Sequence, residues 1–288
     1  MKILITGANG QLGRELQYQL RGDCFEVIGC DLPELDVSRL DEFCGLVTAN
    51  RPNVIINCAA YTNVDKCETD GDTAYAVNAI GARNAAMAAN DVGAKLIHLS
   101  TDYVFNGAGS TSQREWDIPS PCGVYGFTKL MGERYAQTFC KRVFVVRTAW
   151  LYGYHGRNFV KAILSAARRG APLKVVNDQI GNPTNAADLA SHLIKLAHTE
   201  GYGVYHCVNG GECSWYDFAR EFLSLSGLDY SITPCGTEEF PRPAKRPAYS
   251  SLDNMMLRLT IGDGMRHWKD AIADYMSRYN KCTGEFES

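Results

Sequence analysis

No run of apolar residues in this 288-residue chain approaches the length that spans a membrane, so no segment reads as a transmembrane helix. The opening run, Met1 to Gly7, is too short for the apolar region of a signal peptide and lacks a cleavage pattern, and it reads instead as a first strand. No excess of positive charge is present. Lys and Arg total 29 against 32 Asp and Glu, a net charge of -3, and nothing global in that balance favours DNA or RNA as a partner. The 11 cysteines, an odd number, run from Cys24 to Cys282 without one Cys-x-x-Cys pair, which argues against a zinc site. They read as buried free thiols of a reducing cytoplasm. Internal repeats and low-complexity segments are also absent.

What is there is ordinary in composition and regular in order. The chain is 45% hydrophobic and 21% charged, and it is long enough to bury one large core or two coupled lobes. Short apolar runs at Ile3–Thr6, Phe25–Cys30, Val54–Cys58, Lys95–Ser100 and Val143–Thr148 read as strands buried on both faces. Helical stretches lie between them, at Gln11–Leu20 and, richest in Ala, at Thr73–Asp91. This alternation predicts an α/β fold with a parallel sheet covered by helices on both sides, a pattern that several α/β folds share. The second half is less regular. Helices are expected over Asn158–Arg169, over Trp215–Ser226 behind a Ser214 cap, and over His267–Tyr279. Strands are expected at Leu173–Val176 and Val204–Val208, and fraying from Lys281 onward.

Six places carry chemistry. Gly7-Ala8-Asn9-Gly10-Gln11-Leu12-Gly13 joins the first strand to the first helix. Glycines there permit a tight turn and close approach of backbone to a pyrophosphate, which the helix N-terminus attracts. The spacing is Gly-x-x-Gly-x-x-Gly, and it is the position after an N-terminal strand that gives the loop weight. Asp31 ends the second strand, where an acid accepts hydrogen bonds from an adenosine ribose and opposes a ribose 2′-phosphate. Asp36-Val37 follows, able to cap the next helix or to contact adenine. Ala59-Ala60-Tyr61, after the third long strand, leaves room for a cofactor at the strand's end. Ser100-Thr101-Asp102 closes the fourth; a hydroxyl at either Ser100 or Thr101 can polarise a substrate carbonyl, and equally can be a turn or cap residue. Tyr125 and Lys129, four apart, share one helix face. An ammonium there is expected to lower the phenol's pKa and to fit it for proton transfer to a carbonyl oxygen.

These residues resemble an extended short-chain dehydrogenase/reductase. Ser100 to Gly107 (STDYVFNG), Arg147 to Gly153 (RTAWLYG), Asp178 to Thr184 (DQIGNPT) and Arg246 to Asp253 (RPAYSSLD) resemble the dTDP-4-dehydrorhamnose reductases within it. The resemblance runs from Lys2 to about Asp253. It implies a Rossmann-type doubly wound parallel sheet with a smaller, mostly helical C-terminal substrate lobe over the cleft. Residues 1–150 would form the dinucleotide-binding domain, with a return around 171–210; residues 151–170 and 211–288 would form the lobe.

By residue, the resemblance makes Thr101, Tyr125 and Lys129 a catalytic trio. It assigns the dinucleotide, NADPH or NADH, to Gly7, Gly10, Gln11, Leu12, Gly13, Asp31, Asp36, Val37, Ala59, Ala60 and Tyr61 together with Tyr125 and Lys129. Thr101, Asp102, Tyr125 and Trp150 would line the sugar site, and Arg246 would meet the nucleotide sugar's pyrophosphate. The implied reaction reduces a dTDP-linked 4-keto-6-deoxy sugar to dTDP-L-rhamnose in the cytoplasm, with no nucleic-acid or membrane partner. A reductase of another nucleotide-linked 4-keto sugar is the near alternative. A non-catalytic, dinucleotide-binding regulatory subunit of methionine adenosyltransferase is the distant one. Some members of the family bridge two subunits with magnesium. Glu15 matches one ligand position, but Ala186 and Ala187 stand before Asp188 where a second acid is expected, so no metal site is expected, and the chain is read as a monomer or homodimer.

Overall fold

The computed structural model describes residues 1–280; the fraying expected from Lys281 onward lies outside the described residues. Six strands form the central sheet: β1 (Lys2–Thr6), β2 (Glu26–Cys30), β3 (Val54–Asn57), β4 (Lys95–Thr101), β5 (Val143–Thr148) and β6 (Gly203–His206). Their spatial order is β6-β5-β4-β3-β1-β2, with every neighbour parallel. Successive side chains of a strand point to opposite faces, and both faces are covered. Ile3 and Ile5 pack with Leu16, Ile56 and Leu193 on one side, while Leu4 packs with Phe43, Val47 and Ile55 on the other. The parallel sheet covered on both faces is what the alternation of runs predicts, and its doubly wound, Rossmann-type order is what the resemblance implies.

The chain leaves β1 for β2, then returns across β1 to β3. The order therefore reverses beside β1, and α/β sheets bind ligands at the carboxyl ends flanking such a reversal. The loops after β1 and β3 meet there. A Cβ on Gly7, whose φ is +64°, would lie 2.7 Å from the Ala59 nitrogen, so only glycine lets the two loops touch.

The helix expected over Thr73–Asp91 is not uniform. An α-helix at Gly71–Tyr75 passes through one π-helical stretch, Ala76–Ile80, into an α-helix at Gly81–Val92. The wider turn carries buried Asn78, which accepts the Tyr61 N–H at 2.8 Å and donates to Tyr61 O at 3.2 Å and Thr128 Oγ1 at 3.1 Å. It thereby pins the loop after β3 to the helix that bears Tyr125. In so alanine-rich a stretch the phase slip of one extra residue does not stand out in the hydrophobic period.

The C-terminal lobe packs the helices Phe159–Arg168, Trp215–Leu225 and Trp268–Tyr279 around Phe218, Phe222, Leu164 and Tyr275. Ser214 caps the second of these as expected. Its hydroxyl accepts the Asp217 N–H at 3.0 Å, and the Asp217 carboxylate completes the capping box. The return expected around 171–210 begins later than that. Lys174–Val176 pairs with Thr233–Cys235, and Val175 packs in the lobe core, so this strand stays with the lobe. Only from the helix Ala186–Ala197 and β6 does the chain rejoin the central sheet. Among the described residues no helix is long and apolar enough to cross a membrane.

Candidate active site

A cleft of about 730 Å³ runs along the carboxyl ends of the strands to the lobe. The glycine loop opens one end. Helix α1 (Gln11–Gln19) begins directly after Gly10 and has no acidic residue in its first turn, so its N-terminal N–H groups keep their attraction for an anion. A Cβ on Gly13 would fall 2.3 Å from Gly7 O, so the loop's tightness requires glycine there too. Asp31 accepts the Asn9 N–H at 2.9 Å and the Leu32 N–H at 2.9 Å, which ties β2's end to the glycine loop while leaving acceptor capacity on both oxygens. Asp36 does not cap the next helix, whose cap position is Arg39. It holds the preceding turn, accepting from Ser38 N at 3.0 Å and Ser38 Oγ at 2.7 Å, and these bonds lower its pKa. Asp36, Val37, Ala59, Ala60 and Tyr61 all line the cleft, as do Gly7, Gly10, Gln11, Leu12 and Gly13. The donor-rich helix end, the cradle emptied of Cβ atoms and the free acceptors of Asp31 fit a dinucleotide.

The chemistry-bearing side chains converge midway. Thr101 closes β4, with its hydroxyl donating to Asp102 Oδ1 at 2.9 Å and accepting from Tyr103 N at 3.3 Å. Tyr125 and Lys129 come from the helix Val124–Phe139, one turn apart, and line the same cleft as Thr101. Tyr125 packs edge-on against Tyr103, ring centroids 5.5 Å apart. Gly126 permits this, since a Cβ there would lie 2.1 Å from Tyr103 O.

One electrostatic expectation is reversed. Burial holds the Tyr125 phenol above its ordinary range, with a hydrogen bond to Thr101 only moderating the rise. Lys129 is not among the main causes of this shift, and its ammonium donates to Leu99 O at 2.6 Å. Burial also pushes Lys129 down to about 8, opposed by Glu133. Asp102 is buried and pushed up to about 6 by desolvation, and its Oδ2 has no hydrogen-bond partner among the described residues.

Beneath this group lies a network that composition and spacing left unread. Glu133, one turn beyond Lys129, takes a two-pronged contact from Arg147 (Nε to Oε1 2.9 Å, Nη2 to Oε2 2.7 Å) and the Ser100 hydroxyl at 2.5 Å. The Ser100 hydroxyl is thus committed to Glu133, although Ser100 and Thr101 both line the cleft. The Tyr125, Lys129, Glu133 spacing was the available signal; its meaning depends on Arg147 reaching across from β5.

At the lobe end, Trp150 and Trp215 line the cleft with their rings stacked. Arg246 is not among the lining residues. It pairs with Asp65 at 3.0 Å and donates to Tyr103 Oη at 3.1 Å, so it stands behind the wall that Tyr103 forms. Arg157, unremarked in the sequence, does line the cleft. Glu15 is buried, its Oε1 taken by Gln19, whose amide also reaches Ala187 O. Among the described residues no group of His, Cys, Asp and Glu side chains could hold a metal ion.

Comparison with known proteins accords with this geometry. The model of the RmlD substrate binding domain family matches residues 1–281. The spore coat polysaccharide biosynthesis protein SpsK of Bacillus subtilis is 40% identical over 282 residues, covering 98% of this chain and 99% of its own. A dTDP-4-dehydrorhamnose reductase from Clostridium acetobutylicum superposes with a TM-score of 0.94 at 50% identity, covering 96% and 99% of the two chains. The Bacillus anthracis dTDP-4-dehydrorhamnose reductase in complex with NADP superposes with a TM-score of 0.93 at 42% identity, with the same coverage.

Proposed function

The chain belongs to the RmlD family of dTDP-4-dehydrorhamnose reductases, and from that premise we propose that it reduces the 4-keto group of dTDP-4-dehydro-L-rhamnose to give dTDP-L-rhamnose, with NADPH as the reductant. The observation that carries the reading is the meeting of Thr101, Tyr125 and Lys129 in the cleft that the glycine loop opens. The family assignment favours this over a binding-only subunit.

The dinucleotide supplies the hydride when bound. The chain's part is binding, orientation and proton delivery. The N–H groups at Gly10–Leu12 hold the diphosphate, Asp31 accepts from ribose hydroxyls, and the Ala59–Tyr61 segment lets the cofactor approach the backbone. Lys129 donates to the nicotinamide ribose. Thr101 orients the sugar carbonyl by a hydrogen bond. Tyr125 delivers a proton to the carbonyl oxygen as it becomes a hydroxyl. A phenol held above its ordinary range is protonated at neutral pH, which is the form a general acid needs. In this reading Asp102 accepts a sugar hydroxyl, supported by its unpartnered Oδ2, and Trp150 covers the ring. Arg246 takes the nucleotide sugar's diphosphate in exchange for its pairing with Asp65. Residues 1–150, rejoined by β6 and the helix before it, act as the dinucleotide-binding half, and the remainder as the substrate lobe. The reading places the enzyme in the cytoplasm as a monomer or homodimer.

The test is loss of NADPH absorbance on adding dTDP-4-dehydro-L-rhamnose, with the C4 configuration of the product assigned by NMR. Turnover to dTDP-L-rhamnose is expected. Binding of NADPH without turnover, or a C4 epimer as product, would overturn it.

A further inference from the structure

We propose that Arg157 is the cation with which the substrate lobe grips the diphosphate of the bound dinucleotide; the proposal rests on reading the cleft as the dinucleotide site. Arg157 sits in a turn leading into the helix Phe159–Arg168, and that turn is laid on the start of helix α1. Asn158 Nδ2 donates to Gln11 Oε1 at 3.0 Å and to Gly153 O at 2.8 Å. Gly156, with φ +67°, comes so near that a Cβ would lie 3.3 Å from Gln11 Cγ. Arg157 is flanked by these two anchored residues. It lines the cleft with Gly10, Gln11 and Leu12, is exposed, and makes no ion pair or hydrogen bond among the described residues.

Charge supports the assignment. A helix N-terminus offers roughly half an elementary charge against a diphosphate's two negative charges. Among the described residues lining the cleft, the cations are Lys129 and Arg157. Lys129 lies beside Tyr125, where this reading gives it to the nicotinamide ribose and not to the diphosphate. The acids that line the cleft, Asp31, Asp36 and Asp102, lie after β2 and β4. Arg157 is thus the cation beside the glycine loop, and a guanidinium presents a donor fork suited to phosphate oxygens. Since the turn belongs to the lobe, the contact also ties the lobe to the cofactor.

The experiment measures Kd by calorimetry for NADPH, NADH, ADP-ribose and 2′-AMP with wild type, Arg157→Gln and Arg157→Lys. A charge-assisted contact at an exposed position predicts about tenfold weaker binding of the first three ligands to Arg157→Gln. Binding of 2′-AMP, which lacks the diphosphate, stays unchanged, and Arg157→Lys recovers most of the loss. The wild-type Kd also rises more steeply with salt than that of Arg157→Gln. Equal binding by both proteins overturns the proposal, as does a loss confined to NADPH and 2′-AMP, which would put Arg157 at the 2′-phosphate. If the wild type binds none of the dinucleotides, it is the reading of the cleft itself that fails.

Discussion

Trp150 and Trp215 stack face to face, with ring centroids 3.6 Å apart and planes 7° from parallel. Trp150 is held there at some cost, since its φ is +47°, a left-handed value that a bulky side chain rarely adopts. Gly181 frees the space at the ring's edge, where a Cβ would lie 2.6 Å from Cε2. Cys213–Ser214 pairs antiparallel with Ile180–Gly181, so one short ladder sets both Gly181 and the start of the helix bearing Trp215. The strained backbone at the end of the cleft is thus paid for by an aromatic contact across the lobe.

Trp215→Ala is therefore expected to raise KM for the nucleotide sugar by up to about tenfold, the worth of one aromatic pair. kcat and the Kd of NADPH stay near wild type. The stacked indoles also form an exciton pair, and its far-ultraviolet circular dichroism couplet disappears in the variant. A wild-type KM with the couplet gone would show that the stack does not position the sugar.

Tyr125→Phe keeps the ring against Tyr103 and removes only the hydroxyl. Turnover is expected to fall by roughly two to four decades, as for the loss of a general acid. NADPH affinity measured by fluorescence should hold. Near wild-type turnover would rule out the role.

Lys129 carries a pH signature in two parts. Its pKa is about 8, so the ammonium is lost as pH rises through that value, and kcat/KM should then fall by about one decade per pH unit. Stability moves the other way. Between about 8 and the ordinary 10.5, the unfolded chain binds a proton that the folded chain does not, and this group's contribution to stability rises with pH. Relative to Lys129→Met, the wild-type Tm should climb across that window while activity declines. A Tm difference flat with pH would contradict the buried ammonium.

Glu133→Gln leaves the Arg147 guanidinium buried without its carboxylate; the two side chains are only 4% and 2% exposed. Breaking such a pair costs about 3–5 kcal/mol, readable by urea denaturation. Because Glu133 supports the Lys129 charge, the alkaline limb of the activity profile should also move to lower pH. A destabilised variant with an unmoved pH profile would reduce Glu133 to a structural role.

Much of the cleft was legible because local rules govern it. A glycine loop after a first strand, an acid at the end of the second, small residues after the third and a Tyr/Lys pair one helical turn apart are all short-range patterns, and each lands on the cleft wall. The pairing of Arg246 with Asp65 and Tyr103 was not legible, because those partners lie far from it in the chain. The π-helical turn at Asn78 and the Trp215 stack were missed for the same reason. Each becomes meaningful only when a distant segment supplies the partner.

The sequence by itself determined the parallel sheet, the side of it on which the loops gather and the identity of the groups able to transfer a proton, because strand period, glycine conformation and side-chain chemistry act over a few residues. Only the tertiary structure decided their electrostatic state. Spacing alone suggested that Lys129 would lower the Tyr125 pKa. Packing directs the ammonium to Leu99 O and buries the phenol, and desolvation then holds Tyr125 protonated.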